Sequence, residues 1–116
     1  MSNDGELYVR LAQSHINLEQ WKSAATAVQK GLELGGLKRN DQANIMLGMA
    51  LFNQKRLEQA RRAFERARRD NRSRRTATQW IAYVDSEVKR RNLMDQEVPE
   101  YKPKERDELL DALPQD

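Results

Sequence analysis

The sequence predicts an all-α fold in which two antiparallel helical hairpins stack in chain order and a further helix closes the stack. Three observations predict it. Apolar residues recur at helical spacing in five successive stretches. The stretches meet at short polar or glycine corners near residues 18, 36, 54 and 72, and a corner as short as Asn53-Gln54-Lys55-Arg56 only lets two helices fold back on each other. Finally, the first half repeats in the second: a slide of 36 residues carries Leu11 onto Leu47, Ala12 onto Gly48, Trp21 onto Leu57, Ala24 onto Ala60, Val28 onto Phe64 and Gly31 onto Ala67.

The first helix starts at Asn3-Asp4-Gly5-Glu6, with Asn3 as cap and Glu6 three residues on. Leu7, Leu11, His15 and Leu18 follow at helical spacing, a row expected to place His15 inward, and Tyr8, Val9, Ala12 and Ile16 broaden the apolar surface. The second helix begins at about Glu19 or Gln20, aligns Trp21, Ala24, Val28 and Leu32, and stops at Gly35-Gly36. Asn40 and Asp41 are the expected caps of the third.

That third helix carries Leu47 and Leu51 on one face and Ile45, Met49 and Phe52 on another, so it has to be covered on more than one side. Gly48 in its middle costs about 1 kcal/mol of helix propensity relative to Ala. Ala60 and Ala67 opposite suggest the compensation, two backbones brought near. The fourth helix is one-sided: Leu57, Ala60, Phe64 and Ala67 form a stripe, and arginines fill the rest. After Asn71-Arg72-Ser73 a closing helix is expected over about 75–92, with Ala77, Trp80, Ile81, Val84 and Val88 on its apolar side. The helical domain therefore spans 1–94, with hairpins at about 5–35 and 41–70. Residues 95–116 form an acidic tail with Pro99, Pro103 and Pro114, expected to be mostly disordered, with a short helix available from Lys104 to Leu113.

The order Leu47-Gly48, then Ala60, Phe64 and Ala67, in a unit of about 34 residues, resembles the tetratricopeptide repeat. The chain departs from that pattern at Asn44, where the family often has Trp, and at Arg72, where it often has Pro. The resemblance implies a right-handed α-solenoid, here two tetratricopeptide-like hairpins and a capping helix. It also implies a protein-interaction module whose first helices line a groove for a peptide or partner helix. Carried onto this chain, the groove is Val9, Gln13, Ile16 and Asn17, then Ile45, Met49, Phe52 and Asn53, then Gln79 and Tyr83. Asn17 and Asn53, equivalent under the slide, are placed to hydrogen-bond a ligand backbone. The places of the family's carboxylate clamp hold Val9, Gln13, Met46, Thr76 and Trp80, none of them basic, which argues against that mechanism. The segment Ser73 to Val84 looks like the closing part of bacterial repeat proteins that accompany the energy-transducing system of outer-membrane iron uptake. That likeness implies the periplasm if the parent protein is exported, and the cytoplasm otherwise.

Composition narrows the functions. There is no cysteine, hence no disulfide framework and no thiolate metal site, and the single histidine has no second ligand of its kind. No phosphate-binding glycine loop is present, so the reading is non-catalytic, with neither cofactor nor metal. No apolar run approaches the ~20 residues of a membrane span, and the N-terminus lacks a signal-peptide pattern. Because two and a half units are few for a solenoid, the chain is expected to be the end of a longer repeat protein, or to self-associate through its exposed first repeat.

Charge is segregated: residues 1–54 are neutral, 55–94 carry thirteen bases against five acids, and 95–116 carry eight acids against three bases. Arg62, Arg66, Arg69, Arg72, Arg74 and Arg75 form a basic patch, whose alternative use is binding nucleic acid or another polyanion. No nucleic-acid motif accompanies it, so protein remains the favoured partner. The acidic tail supplies a further use, folding back onto the arginines or laying Leu109, Leu110 and Leu113 in the groove.

Overall fold

A computed structural model describes residues 4–97. They form five α-helices and no strand: α1 Asp4–Asn17, α2 Trp21–Leu34, α3 Asn40–Asn53, α4 Leu57–Arg68 and α5 Arg74–Glu97. The fold is all-α. Each helix packs on the next in sequence, and α1 also reaches α3. The expected Asn3 cap and the expectations for the tail beyond Glu97 lie outside the described residues. The closing helix begins one residue earlier than expected and runs five past Asn92. No glycine or proline stands between Asn92 and Glu97 to stop it.

The two hairpin corners share one geometry. At the end of α1 the N–H of Gln20 bonds to the His15 carbonyl at 2.8 Å and that of Glu19 to Ile16 at 2.9 Å. At the end of α3 the N–H of Arg56 bonds to Leu51 at 3.0 Å and that of Lys55 to Phe52 at 2.9 Å. This is the Schellman pattern, which requires a left-handed residue just past the helix. Glu19 (φ 57) and Lys55 (φ 66) supply it, 36 residues apart, although neither is glycine. Gly35 (φ 74) and Gly36 (φ 69) end α2 by the same backbone freedom, with Gly35 N–H bonded to the Gly31 carbonyl.

Alanines and a few larger side chains make the core, with Phe64, Val28 and Val84 the largest that are wholly enclosed. Gly48 does permit close packing, but of a different kind from that expected. A β-carbon there would lie 2.5–2.7 Å from the Phe64 ring, so the missing side chain makes room for an aromatic ring rather than for a second backbone. The close backbone approach occurs instead between α1 and α2. A β-carbon on Gly5 would meet the Gly35 carbonyl oxygen at 2.5 Å, and one on Gly31 would meet the Gly5 oxygen at 2.9 Å.

Two local expectations are corrected. Asn40 and Asp41 do not cap α3: Arg39 occupies the cap position without a side-chain bond, and Asp41 is buried in the first turn. Glu6 accepts the Lys38 N–H at 2.8 Å, tying the α2–α3 connection to α1. The Leu7–Leu11–His15 row is not an interior row. Leu7 and Leu11 are 55% and 47% exposed, because Gly5 and Ala12 form the buried side of α1. His15 is half-buried and pairs at Nδ1 with Gln20 Oε1 at 2.7 Å across the corner.

Candidate functional site

The odd-numbered helices bring part of the expected groove together. Gln13 of α1, Ile45 and Met46 of α3 and Thr76 of α5 line one cleft of about 400 Å³, completed by Gln42, Arg39, Arg72 and Ser73. Its apolar part is Ile45 and Met46, and two amides, two hydroxyls and the guanidinium groups of Arg39 and Arg72 surround it. Ile45, Met49 and Phe52 share a stripe of α3 at spacings of four and three, and Thr76, Trp80 and Tyr83 share one of α5. Away from the cleft the two stripes meet in an aromatic ridge. Phe52 lies edge-on to Trp80 with centroids 5.6 Å apart, and Trp80 is 6.0 Å from Tyr83. Tyr83 is 68% exposed and Gln79 beside it is exposed, so the ridge ends in a large amphipathic side chain open to solvent.

The remaining expected residues are placed less uniformly. Val9 turns toward the α1–α2 seam, its Cγ2 3.1 Å from where a Gly31 β-carbon would be. Ile16, Met49, Ile45 and Phe52 are half-buried against the core. Asn17 and Asn53 are exposed, but each already uses one side of its amide. Asn17 Oδ1 accepts from Gln13 Nε2 at 3.0 Å, and Asn53 Nδ2 donates to the Met49 carbonyl at 2.8 Å. That leaves the Asn17 NH₂ and the Asn53 carbonyl oxygen for a ligand.

Beneath the cleft lies the one ionic cluster of the described residues that is anchored on a fully buried carboxylate. Asp41 accepts from Arg39 Nε at 2.9 Å and Nη2 at 2.6 Å and from Ser73 Oγ at 2.6 Å, with Arg72 Nη2 3.7 Å away. The Ser73 carbonyl in turn accepts the Ala77 N–H that opens α5. The Arg39 hydrogen bonds, then that of Ser73, hold the Asp41 carboxyl well below the ordinary carboxylate range, against the desolvation that burial imposes. Asp41 thereby ties the start of α3 to the start of α5 and engages three residues of the cleft's lining, Arg39, Arg72 and Ser73. The sequence signal for it was present but misleading, since an acid in a first turn reads as a cap.

The basic patch divides into engaged and unengaged cations. Arg72 is held by Asp70 through Nε at 3.1 Å and Nη2 at 2.7 Å, and keeps the Asp70 carboxyl low. Arg66 donates to Asn44 Oδ1 at 3.1 Å, a polar tie from α4 to α3. Arg74 donates to the Arg68 carbonyl at 3.3 Å. Arg62, Arg69 and Arg75 are exposed and have no ion pair among the described residues. Arg61, outside the expected patch, joins α4 to α5 by pairing with Asp85 at 2.8 Å and with Glu65.

Among the described residues no three His, Cys, Asp or Glu side chains gather as metal ligands, and no helix is long and apolar enough to cross a membrane. No protein-family model, no curated protein and no solved structure matches this chain.

Proposed function

We propose that this chain is a non-catalytic protein-interaction module, a short right-handed α-solenoid of two tetratricopeptide-like hairpins and a closing helix, which takes a peptide or partner helix along the face of α1, α3 and α5. The observation that carries the reading is the line from the Gln13–Ile45–Met46–Thr76 cleft to the Phe52–Trp80–Tyr83 ridge, apolar along Ile45, Met46 and the aromatic rings and edged by amides, hydroxyls and two guanidinium groups. Apolar anchors flanked by hydrogen-bonding side chains suit a ligand that presents both a backbone and alternate side chains. The solenoid reading is supported by the repeated corner geometry and by packing that runs from each helix to its sequence neighbour.

Selecting displayed peptides on the intact chain, then measuring the selected ligand against variants, tests the proposal. Ile45→Ala and Tyr83→Ala are each expected to weaken binding about tenfold, the effect of losing roughly 1.4 kcal/mol at an anchor. Arg69→Ala with Arg75→Ala leaves it unchanged. The opposite pattern, with affinity falling steeply as salt is raised, would instead establish the polyanion reading of residues 55–75.

A further inference from the structure

Four cations that form no ion pair among the described residues converge on a second cleft, which shares no residue with the α1–α3–α5 face; of the four, Lys55 and Arg91 lie near enough to Glu87 to help hold its carboxyl low. Lys55 and Arg56 enter it from the α3–α4 corner, Arg62 from α4 and Arg91 from α5, around about 500 Å³. None of the four takes part in an ion pair there, whereas Arg39, Arg61, Arg72 and Arg90 are each paired. Glu58 and Asp95 also line the cleft, which leaves it net positive. Like charges gathered at this density repel one another unless an anion joins them.

Position and charge identify the anion. Helix α5 carries the chain along the cleft, where Asp95 lines it, and the described chain reaches Glu97 two residues later. The segment that follows, 98–116, holds six acids against three bases, and its last ten residues, Asp107 to Asp116, hold four acids and no base. Ten residues separate Glu97 from Asp107 and span up to about 33 Å. That exceeds the distance across two packed helices, at about 10 Å between axes. We infer that the C-terminal segment of this chain docks in this cleft, placing Asp107, Glu108 and Asp111 against Lys55, Arg56, Arg62 and Arg91. Each exposed pair is weak alone. Tethering through α5 raises the local concentration of the carboxylates enough for several to act together, and the contact is released by salt. The segment is then an internal acidic ligand, and an external polyanion has to displace it to reach Arg62.

The full chain lends itself to a direct test, because it contains no cysteine. A nitroxide attached at Gln115→Cys should attenuate the amide signals of Gln59, Arg62 and Asn92, leave those of α2 intact, and lose its effect in high salt. Arg62→Glu with Arg91→Glu abolishes the attenuation while circular dichroism stays helical, and adding Asp107→Lys with Glu108→Lys restores it. The proposal is overturned if the parent chain shows no attenuation there, if the signals of Leu7 and Leu11 respond instead, or if the charge reversal leaves the pattern unchanged. Mixing spin-labelled chain with isotope-labelled chain must show no transfer between molecules; attenuation in the mixture equal to that within one chain also overturns it.

Discussion

In the first hairpin the backbone passes from α1 to α2 through Glu19 at φ 57, and in the second from α3 to α4 through Lys55 at φ 66, with matching hydrogen bonds on either side. Between the helices the two hairpins differ. Where the first has Ala12 and Val28, both wholly buried, the second has Gly48 and Phe64. Where the first brings two backbones together at Gly5 and Gly31, the second has Asp41 and Ala67 and uses the carboxylate as an anchor. The corner is set by backbone hydrogen bonds that do not read the side chains, so it repeats. The interior is set by total volume, so a small-plus-medium pair and an absent-plus-large pair are interchangeable solutions.

The sharpest way to break that comparison is to convert one solution into the other. Phe64→Val alone should cost about 3 kcal/mol by leaving a cavity, and Gly48→Ala alone about 2 kcal/mol by overpacking. The ring it would strike cannot swing away, since Phe64 is enclosed and stacked 5.2 Å from Trp80. Together they recreate the pair of the first hairpin and should cost at least 1 kcal/mol less than their sum, read by urea unfolding. Additivity would mean that the two positions do not share one space.

Next in size is Asp41, which has glycine as its counterpart in the first hairpin. Asp41→Ala should cost about 2 kcal/mol by leaving the buried Ser73 hydroxyl and the Arg39 guanidinium without their shared acceptor, while Arg72 keeps Asp70. Since the folded Asp41 carboxyl lies below its unfolded value of about 3.9, its contribution is complete above that pH and disappears as pH falls through the folded value. Asp41→Asn should therefore flatten the loss of stability on acidification below about pH 4, measured by chemical denaturation at a series of pH values.

Smaller effects follow at the corners and on the open side. Glu19→Gly and Lys55→Gly should each stabilise by about 0.5 kcal/mol, the relief of a left-handed residue offset by the entropy of an added glycine. Unequal shifts in melting temperature would show that the corners are alike only in outline. Leu7→Gln should change stability by less than about 0.5 kcal/mol, since Leu7 is largely exposed. A larger loss that grows on dilution would instead reveal a second copy covering α1.

Much of the fold was legible in the residues because it depends on short-range patterns. The 3.6-residue periodicity, the Gly35-Gly36 stop and the polar corner at Asn53–Arg56 locate the helices without reference to anything distant. The 36-residue slide even pairs Glu19 with Lys55, although nothing in either residue type announces a positive φ. The candidate site was less legible. Ile45, Phe52 and Tyr83 were expected on the open face, while Gln42 was not. Trp80, which connects Phe52 to Tyr83, was expected on the apolar side of its helix and at a clamp position, but not among the groove residues. The patch arginines read alike in sequence, yet Arg72 is neutralised by Asp70 while Arg62 forms no ion pair among the described residues.

What the sequence determined alone is helix content, the order of the helices and the segregation of charge, since these depend on composition and on spacings within one or two turns. What only the tertiary structure decided is which small residues face a backbone and which face a ring, and which charges have met a partner. Those depend on distances between residues far apart in the chain: Gly48 takes its meaning from Phe64, and Asp41 from Ser73, 32 positions away.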